Sequence, residues 1–413
     1  MRYNTKLLHG GARQKNPSGA TLPPVFLANA FEQDSFEQLE KVFHNKAAGF
    51  TYSRIDNPTV AEFEKKVTLT EEGIGSVACS SGMAAVFNAV MNILTTGDEI
   101  IASAGIFGGT LGLFEDMASF GVHTRYLEYV NGETIAKAVT DKTKAVFVET
   151  IANPRLDVAD IREIADASHA HGLVCIVDNT AATSYLVRPL TLGADIVVQS
   201  SSKYINGSSN AISGIITDGG KFKWDAKRYP NLEPYRKMGP YAYLAKLRTG
   251  LYRNTGACLS PMNAYLNCIG METLGLRMER ICENALKLAQ HLEKVESIGE
   301  VRYPGLVSND SHEAAERQFQ NGFGGILTLR LGSKGKAFSF INALKLVKKV
   351  SNIGDTKTLV IHPASTIYAH STEEERLLAG VYDDLVRVSV GIEDIEDLTE
   401  DFDQAIKTAE GGN

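Results

Sequence analysis

The sequence LVCIVDNTAATSYLVRPLTLGADIVVQSSSKY, residues 173–204, contains two apolar runs that predict neighbouring strands of a parallel sheet. The first run ends in Asp178, and the second is followed by three serines and Lys203. Parallel strands bring their carboxyl ends to the same edge of a sheet, which is where open α/β folds bind ligands. The stretch therefore predicts a site at which a carboxylate and an amine meet.

One cofactor needs this set of groups. A buried lysine can lose its charge and become a nucleophile or a Schiff-base former. Lys203 would then hold pyridoxal 5'-phosphate, Asp178 would keep its pyridine nitrogen protonated, and the hydroxyls of Ser200 and Ser202 would hold its phosphate. Two alternatives stay open at this point: an ordinary solvated Lys203, or the Ser-x-x-Lys motif of penicillin-binding enzymes. The Ser-Asp-Asn and Lys-Thr-Gly strings that accompany that motif do not occur in the chain.

Length and composition are those of a globular protein. A chain of 413 residues can bury a large core and is long enough for two domains and a terminal arm. The net charge of −7 argues against non-specific binding of nucleic acid. We find no 18-residue apolar run and no apolar core of a signal peptide. Five cysteines without a CxxC pair predict reduced core residues of a cytoplasmic protein.

The strings DNT at 178–180 and SSSKY at 200–204 resemble the lysine region of the pyridoxal-phosphate enzymes of cysteine and methionine metabolism. That family includes cystathionine synthases and lyases, methionine γ-lyase and O-acetylhomoserine sulfhydrylase. The resemblance implies an α/β fold of type I, with a large, mostly parallel sheet sandwiched by helices and a smaller α+β C-terminal domain. It further implies a division of the chain into an N-terminal arm contacting a neighbouring subunit (1–59), a pyridoxal-phosphate-binding domain (60–256) and a C-terminal domain (257–413).

The string TYSRIDNPT at 51–59 matches the family motif Y-x-R-x-x-N-P-T. We expect Tyr52 and Arg54 to alternate on an extended strand, so that both side chains point the same way. The resemblance implies that both reach across a subunit interface to the phosphate of the partner's cofactor. Arginine suits that role because its planar fork binds phosphate bidentately. A half-exposed loop without this role is the alternative.

Further motifs resemble the family's cofactor contacts. Gly82 and Met83 follow a strand at a predicted helix N-terminus, where free backbone N–H groups attract phosphate. Thr180 belongs to the DNT string. Asn153, in an Asn-Pro pair, is expected from the resemblance to position the cofactor and the substrate, whereas a simple turn is its alternative. Phe107 stands where the family usually stacks a tyrosine on the cofactor ring.

Three positions depart from the family or from its branches. Phe107 can still stack, but it has no hydroxyl for acid–base work. Gly109 stands where methionine γ-lyases carry a cysteine, and this glycine is more similar to the sulfhydrylase branch. Ser208 lies near the place of a histidine that is frequent in the family. The stretch 255–295, a long helical pattern predicted to connect the two domains, is also similar to the O-acetylhomoserine sulfhydrylase branch.

The C-terminal third contains an arginine inside an apolar strand, LVRVSV. A buried arginine needs an anion, and a structural ion pair is one explanation for Arg387. The resemblance implies another, in which Arg387 binds the α-carboxylate of an amino-acid substrate and Ser351 lines the same pocket. His362 also matches the family, and we expect it to be a structural histidine with satisfied hydrogen bonds.

The resemblance implies a γ-replacement reaction. O-acetyl-L-homoserine and sulfide or a thiol would give L-homocysteine or its thioether and acetate, in a homotetramer built from dimers with shared active sites. No metal, nucleic-acid or membrane partner is expected. Three alternatives stay open: a γ- or β-eliminating lyase of methionine or cystathionine, an aminotransferase, and a non-catalytic binding protein on the same fold.

Overall fold

The computed structural model describes residues 1–10, 19–44 and 46–411, which build two β-sheets surrounded by helices. The larger sheet has seven strands: β1 (Gly75–Cys79), β2 (Glu99–Ser103), β3 (His123–Leu127), β4 (Thr143–Glu149), β5 (Val174–Asp178), β6 (Ile196–Gln199) and β7 (Gly214–Asp218). The smaller sheet has five: β8 (Glu300–Arg302), β9 (Ile326–Arg330), β10 (Lys348–Lys349), β11 (Leu359–Ile361) and β12 (Leu385–Ser389). The expected fold class is confirmed.

The larger sheet has the strand order β1-β7-β6-β5-β4-β2-β3. Its strands run parallel, except that β7 is antiparallel to both of its neighbours. Cys175 and Val177 of β5 pack into the hydrophobic core on one face, and Val174 and Ile176 pack into the core on the other. Burial on both faces explains why this strand is continuously apolar in sequence.

Helices cover both faces of the larger sheet and one side of the smaller one. In chain order they are α1 (Tyr3–His9), α2 (Phe36–Phe43), α3 (Pro58–Glu71), α4 (Gly82–Met91), α5 (Gly108–Ala118), α6 (Gly132–Ala138), α7 (Ile161–Ala170), α8 (Thr183–Leu186), α9 (Pro189–Leu192), α10 (Ala242–Thr249), α11 (Leu251–Thr255), α12 (Pro261–Glu272), α13 (Leu274–Leu292), α14 (His312–Gln318), α15 (Lys334–Ala343), α16 (Glu373–Leu378) and α17 (Ile395–Gly411). Two 3₁₀ segments span Pro230–Tyr241 and Pro363–Ser365. In the described ranges no helix has both the length and the apolar composition to cross a lipid bilayer.

The smaller sheet has the order β10-β11-β12-β9-β8 and is antiparallel apart from the β10–β11 pair. Helix α13 connects its core with that of the larger sheet. Met278 and Ile281, in the first half of α13, pack in the core of the larger sheet. Leu288 and Leu292, in the second half, pack with the strands and helices of the smaller sheet. The helix therefore packs in both cores.

The sequence placed some boundaries wrongly. The continuous helical pattern at 255–295 is divided into α12 and α13, because Thr273 has a non-helical backbone. Tyr52 and Arg54 do not alternate on an extended strand. Tyr52 forms an isolated bridge with Ala30, and its carbonyl then accepts hydrogen bonds from Ile55 N–H (2.8 Å) and Asp56 N–H (3.1 Å). The chain turns here because the next residues, capped by Asn57, begin α3.

Candidate active site

The predicted site residues meet at the carboxyl ends of β4, β5 and β6. Glu149 of β4 pairs in register with Asp178 of β5, and Lys203 follows β6 in a tight turn. A cavity of about 750 Å³ opens at this edge. Every residue proposed from the sequence lines it, except Tyr52 and Arg54: Gly82, Met83, Phe107, Asn153, Asp178, Thr180, Ser200, Ser202, Lys203, Ser351 and Arg387.

One end of the cavity is suited to a phosphate. Helix α4 begins at Gly82, with Ser81 as its N-cap accepting a hydrogen bond from Ala84 N–H. A Cβ atom at Gly82 would lie only 2.6 Å from Cβ of Ser200, so only glycine allows the two segments to approach so closely. The backbone N–H groups at this helix start, together with the Ser200 hydroxyl, can bind an anion.

The two serines are not equivalent, although the sequence suggested the same role for both. The Ser202 hydroxyl donates its proton to the Ser213 carbonyl (3.0 Å) and accepts a hydrogen bond from Ser213 N–H (2.8 Å). A hydroxyl has one proton, so Ser202 cannot also donate to a phosphate without losing this bond. Of the two serines, Ser200 is therefore better placed to donate a hydrogen bond to a phosphate.

Two carboxyl groups, those of Asp178 and Glu149, also line the cavity. Asp178 Oδ1 accepts a hydrogen bond from Thr180 N–H (2.9 Å), and Thr180 Oγ1 accepts one from Ser200 N–H (2.8 Å). Burial raises the pKa of Asp178 to about 6. Burial, with a further contribution from the Asp178 charge, raises the pKa of Glu149 well above its ordinary value. Burial is thus the first cause of the raised pKa of both groups.

Lys203 lines the same cavity and contacts the C-terminal third of the chain. Burial, and then the charge of Arg387, lower the pKa of its amine to about 8. Its Nζ atom donates a hydrogen bond to Asn352 Oδ1 at 2.5 Å. An amine with this pKa is partly neutral near pH 7 and can act as a nucleophile or a base.

Arg387 is 4% exposed in the middle of β12. Its Nη1 atom donates to Asn153 Oδ1 (3.0 Å), and its Nη2 atom donates to the carbonyl of Asn352 (3.1 Å). Within the described residues it forms no ion pair, and its buried Nε has no partner. Among the described residues, the structural ion pair that the sequence suggested for Arg387 is therefore not found. A buried guanidinium held only by neutral amides is suited to a carboxylate ligand.

Sequence reasoning missed Glu149 and Asn352 as site residues. Glu149 Oε1 accepts a hydrogen bond from the N–H of Phe107 (2.8 Å) and so holds the segment that carries the aromatic ring. Its position at the end of a strand beside Asp178 was the available signal. The signal for Asn352 was its place next to Ser351, but its contacts depend on how this loop packs against the turn that carries Lys203. His362 is a satisfied structural histidine as expected, bonded to Ser365 Oγ (2.8 Å) and to the Asp383 carbonyl (2.8 Å).

Tyr52 and Arg54 lie outside the cavity in this chain. Tyr52 is 40% exposed, and Arg54 Nη1 donates to the carbonyl of Arg253 at 2.7 Å. The guanidinium of Arg54 also lies 5.5 Å from the centre of the Tyr52 ring. Both side chains are thus near the surface, where a second subunit could be reached.

An anion-binding helix start, a carboxylate and an amine of lowered pKa in one cavity define a lysine-dependent pyridoxal-phosphate enzyme. The chain belongs to the Cys/Met metabolism PLP-dependent enzyme family, whose model matches residues 4–407. The close approach of Gly82 to Ser200 fits the phosphate of this cofactor. The unpartnered buried Nε of Arg387 fits the carboxylate of a substrate.

Similar proteins come from fungi and bacteria. The chain is 38% identical to homocysteine synthase of Schizosaccharomyces pombe, over 98% of both chains. It is 38% identical to O-acetyl-L-homoserine sulfhydrylase of Corynebacterium glutamicum, over 97% of this chain and 96% of that one. A crystal structure from Campylobacter jejuni, assigned as an O-acetylhomoserine (thiol)-lyase and containing a pyridoxyl-lysine phosphate, superimposes with a TM-score of 0.93 at 31% identity, covering 98% of this chain and all of the other.

Proposed function

We propose that this enzyme catalyses γ-replacement on O-acetyl-L-homoserine, with sulfide or a thiol as the second substrate. The products are L-homocysteine, or its thioether, and acetate. The observation that carries the proposal is the placement of Arg387, held by two asparagines, in the same cavity as Lys203 and Asp178. Full-length relatives named for homocysteine synthesis and for O-acetylhomoserine support the choice of substrate.

The roles of the residues follow from their charges and positions. When bound, pyridoxal phosphate would bond to an amine and withdraw electrons from the carbon next to it. Asp178 supplies a negative charge for a protonated ring nitrogen. Lys203, with a pKa of about 8, takes the proton from the substrate's α-carbon and returns it to a neighbouring carbon. Arg387 binds the α-carboxylate.

The overall reaction is balanced without a further reactant. The bond between Cγ and the acetate oxygen breaks, a bond between Cγ and sulfur forms, and the thiol proton leaves with acetate. Acetate is a weak base and a good leaving group. Departure of a thiolate, as in reactions of methionine or cystathionine, needs more help from an acid.

Product analysis by mass spectrometry tests the function. Purified enzyme incubated with O-acetyl-L-homoserine and sulfide is expected to form homocysteine and acetate in equal amounts. Ammonia and an oxo-acid in place of homocysteine would instead identify an eliminating lyase. Amino-group exchange with an oxo-acid would identify an aminotransferase, and cofactor loading without turnover would identify a binding protein.

A prediction concerns Phe107, which lines the cavity and has no hydroxyl. Phe107→Tyr is expected to raise elimination from methionine relative to the reaction of O-acetyl-L-homoserine, because the hydroxyl adds a proton donor near the γ-leaving group. The measurement is the ratio of kcat/KM for the two substrates in wild type and variant. An unchanged ratio contradicts the role of the hydroxyl, and a wild type already efficient on methionine favours a γ-lyase.

We also propose that the assembly is a homotetramer of two dimers, with each active site shared between subunits. Support comes from Tyr52 and Arg54, which lie near the surface and away from the cavity of their own chain. Arg54 would then bind the phosphate of the neighbouring subunit's cofactor. The division into an arm at 1–59, a cofactor domain at 60–256 and a C-terminal domain at 257–413 belongs to the same proposal. A cytoplasmic location is supported by five free cysteines, four of them buried.

Subunit mixing checks the shared site. Arg54→Ala and Lys203→Ala are each expected to be nearly inactive, yet an exchanged equal mixture is expected to recover roughly a quarter of wild-type activity through hybrid dimers with one intact site. The matched control mixes Asp178→Ala with Lys203→Ala. Both of these residues belong to one chain's cavity, so no hybrid site is intact and no activity should return. Exchange without recovery in the first mixture contradicts sharing.

A further inference from the structure

The amine of Lys203 lies at the end of a chain of oriented hydrogen bonds. It donates to Asn352 Oδ1 (2.5 Å), and Asn352 Nδ2 donates to Ser209 Oγ (2.8 Å). Ser209 Oγ in turn donates to Asp355 Oδ2. The other carboxylate oxygen of Asp355 accepts from Lys357 Nζ at 2.7 Å. Asp355 is a carboxylate, which can only accept hydrogen bonds. Every donor in this series of hydrogen bonds therefore points towards it.

This direction determines which way the Asn352 amide faces. The hydroxyl proton of Ser209 is used on Asp355, so its oxygen is left to accept from the amide nitrogen of Asn352. The amide oxygen must then face Lys203. An Asn side chain has no such preference by itself, because its two ends are alike in shape. Ser209 and Asp355 therefore place an acceptor where the lysine amine lies.

Two features of the backbone hold this arrangement. Ser209 has a φ of 54°, in the left-handed region that serine rarely adopts, and such strain collects at functional sites. Gly354 has a φ of 75°, and a Cβ there would lie 2.6 Å from the backbone nitrogen of Tyr204. The absence of a side chain at Gly354 thus lets the loop at 351–355 pack directly against the turn that carries Lys203.

Asn352 also contacts Arg387, through a different atom. Its backbone carbonyl accepts from Nη2 of Arg387 at 3.1 Å, while its side chain accepts from Lys203. One residue therefore connects the group proposed to transfer protons with the group proposed to bind the α-carboxylate. Replacing the side chain removes the first contact and leaves the backbone contact available.

We propose that Asn352 is a positioning residue that holds the free amine of Lys203, with its amide oriented by Ser209 and Asp355. The free amine is the form that acts on substrate after it is released from the cofactor, so this inference rests on the proposed function. The acceptor at Asn352 keeps the amine close to Arg387, the group proposed to bind the substrate.

Amine labelling of the cofactor-free protein tests the proposal without any assumed substrate. Acetic anhydride labelling at pH 7, followed by peptide mass spectrometry, measures the reactivity of Lys203. In Asn352→Leu, acetylation of Lys203 is expected to rise several-fold, because the protonated amine loses its acceptor and the neutral form gains. Ser209→Ala, which frees the amide to turn, is expected to produce a smaller rise. Asn231→Leu is the matched control, since Asn231 donates to the Ile93 carbonyl and does not line the cavity, and no change is expected there.

In the holoenzyme, Asn352→Leu is expected to lower kcat by about tenfold, with KM for the amino-acid substrate within about twofold of wild type. Equal labelling of Lys203 in wild type and in both Asn352→Leu and Ser209→Ala overturns the proposal. So does a loss of thermal stability in Asn352→Leu with wild-type labelling, because that pattern describes a structural role only. If O-acetyl-L-homoserine proves to be the wrong substrate, the labelling result still decides the role of Asn352.

Discussion

Replacing Lys203 by alanine is expected to reduce turnover by about 10²- to 10⁴-fold or more, the range for loss of a positioned proton-transfer group. Cofactor affinity should fall as well, because the same amine is the group that bonds to pyridoxal phosphate. Steady-state kinetics and the visible absorbance of the bound cofactor measure both losses. Borohydride reduction of the wild type, followed by peptide mapping, is expected to place the pyridoxyl group on Lys203.

Lys246 provides the matched control. Burial lowers the pKa of its amine to about 8, as in Lys203, but its Nζ donates to the carbonyl of Asn92 at 2.6 Å and it does not line the cavity. Lys246→Ala should keep cofactor binding, and the wild-type Lys246 peptide should carry no pyridoxyl group. A label on Lys246, or on any lysine other than Lys203, would falsify the assignment. The comparison separates a low pKa from a position in the site.

Arg387→Ala is expected to weaken substrate recognition by about 2–5 kcal/mol, the range for breaking a buried charged pair. This corresponds to a fall in kcat/KM between about 30-fold and several thousand-fold. The reason is that the buried guanidinium has only two amide partners and an unpartnered Nε, so its charge is available to bind an anion. Cofactor absorbance should survive, because Arg387 contacts Asn153 and Asn352 and none of the groups proposed to bind the phosphate, the ring nitrogen or the imine carbon.

The control compares two substrates, and it compares the wild type with two variants of Arg387. The wild type should strongly prefer O-acetyl-L-homoserine to its decarboxylated analogue, whereas Arg387→Ala should treat them alike. Arg387→Lys keeps the charge but loses the planar fork, so an intermediate preference is expected. If Arg387→Ala still strongly favours the carboxylate, another residue binds it.

The amino-acid sequence by itself was sufficient for the fold class and for most of the cavity. The apolar runs that end at Asp178 and Gln199 are buried on both faces of the sheet, and burial of this kind leaves a continuous pattern that can be recognised locally. Parallel strands necessarily end at one edge, so the meeting of Asp178 and Lys203 followed from their positions in the chain. Motifs of the family, such as DNT and SSSKY, predicted most of the other residues that line the cavity.

The tertiary structure alone decided how the site is completed. Ser200 and Ser202 look equivalent in sequence, but only the fold brings the Ser213 backbone to Ser202 and uses its proton. Glu149 becomes a neighbour of Asp178 through strand register, and Asn352 reaches Lys203 through the packing of a loop 149 residues away. Contacts of this kind depend on backbone positions set by the whole core, and no local periodicity or spacing records them.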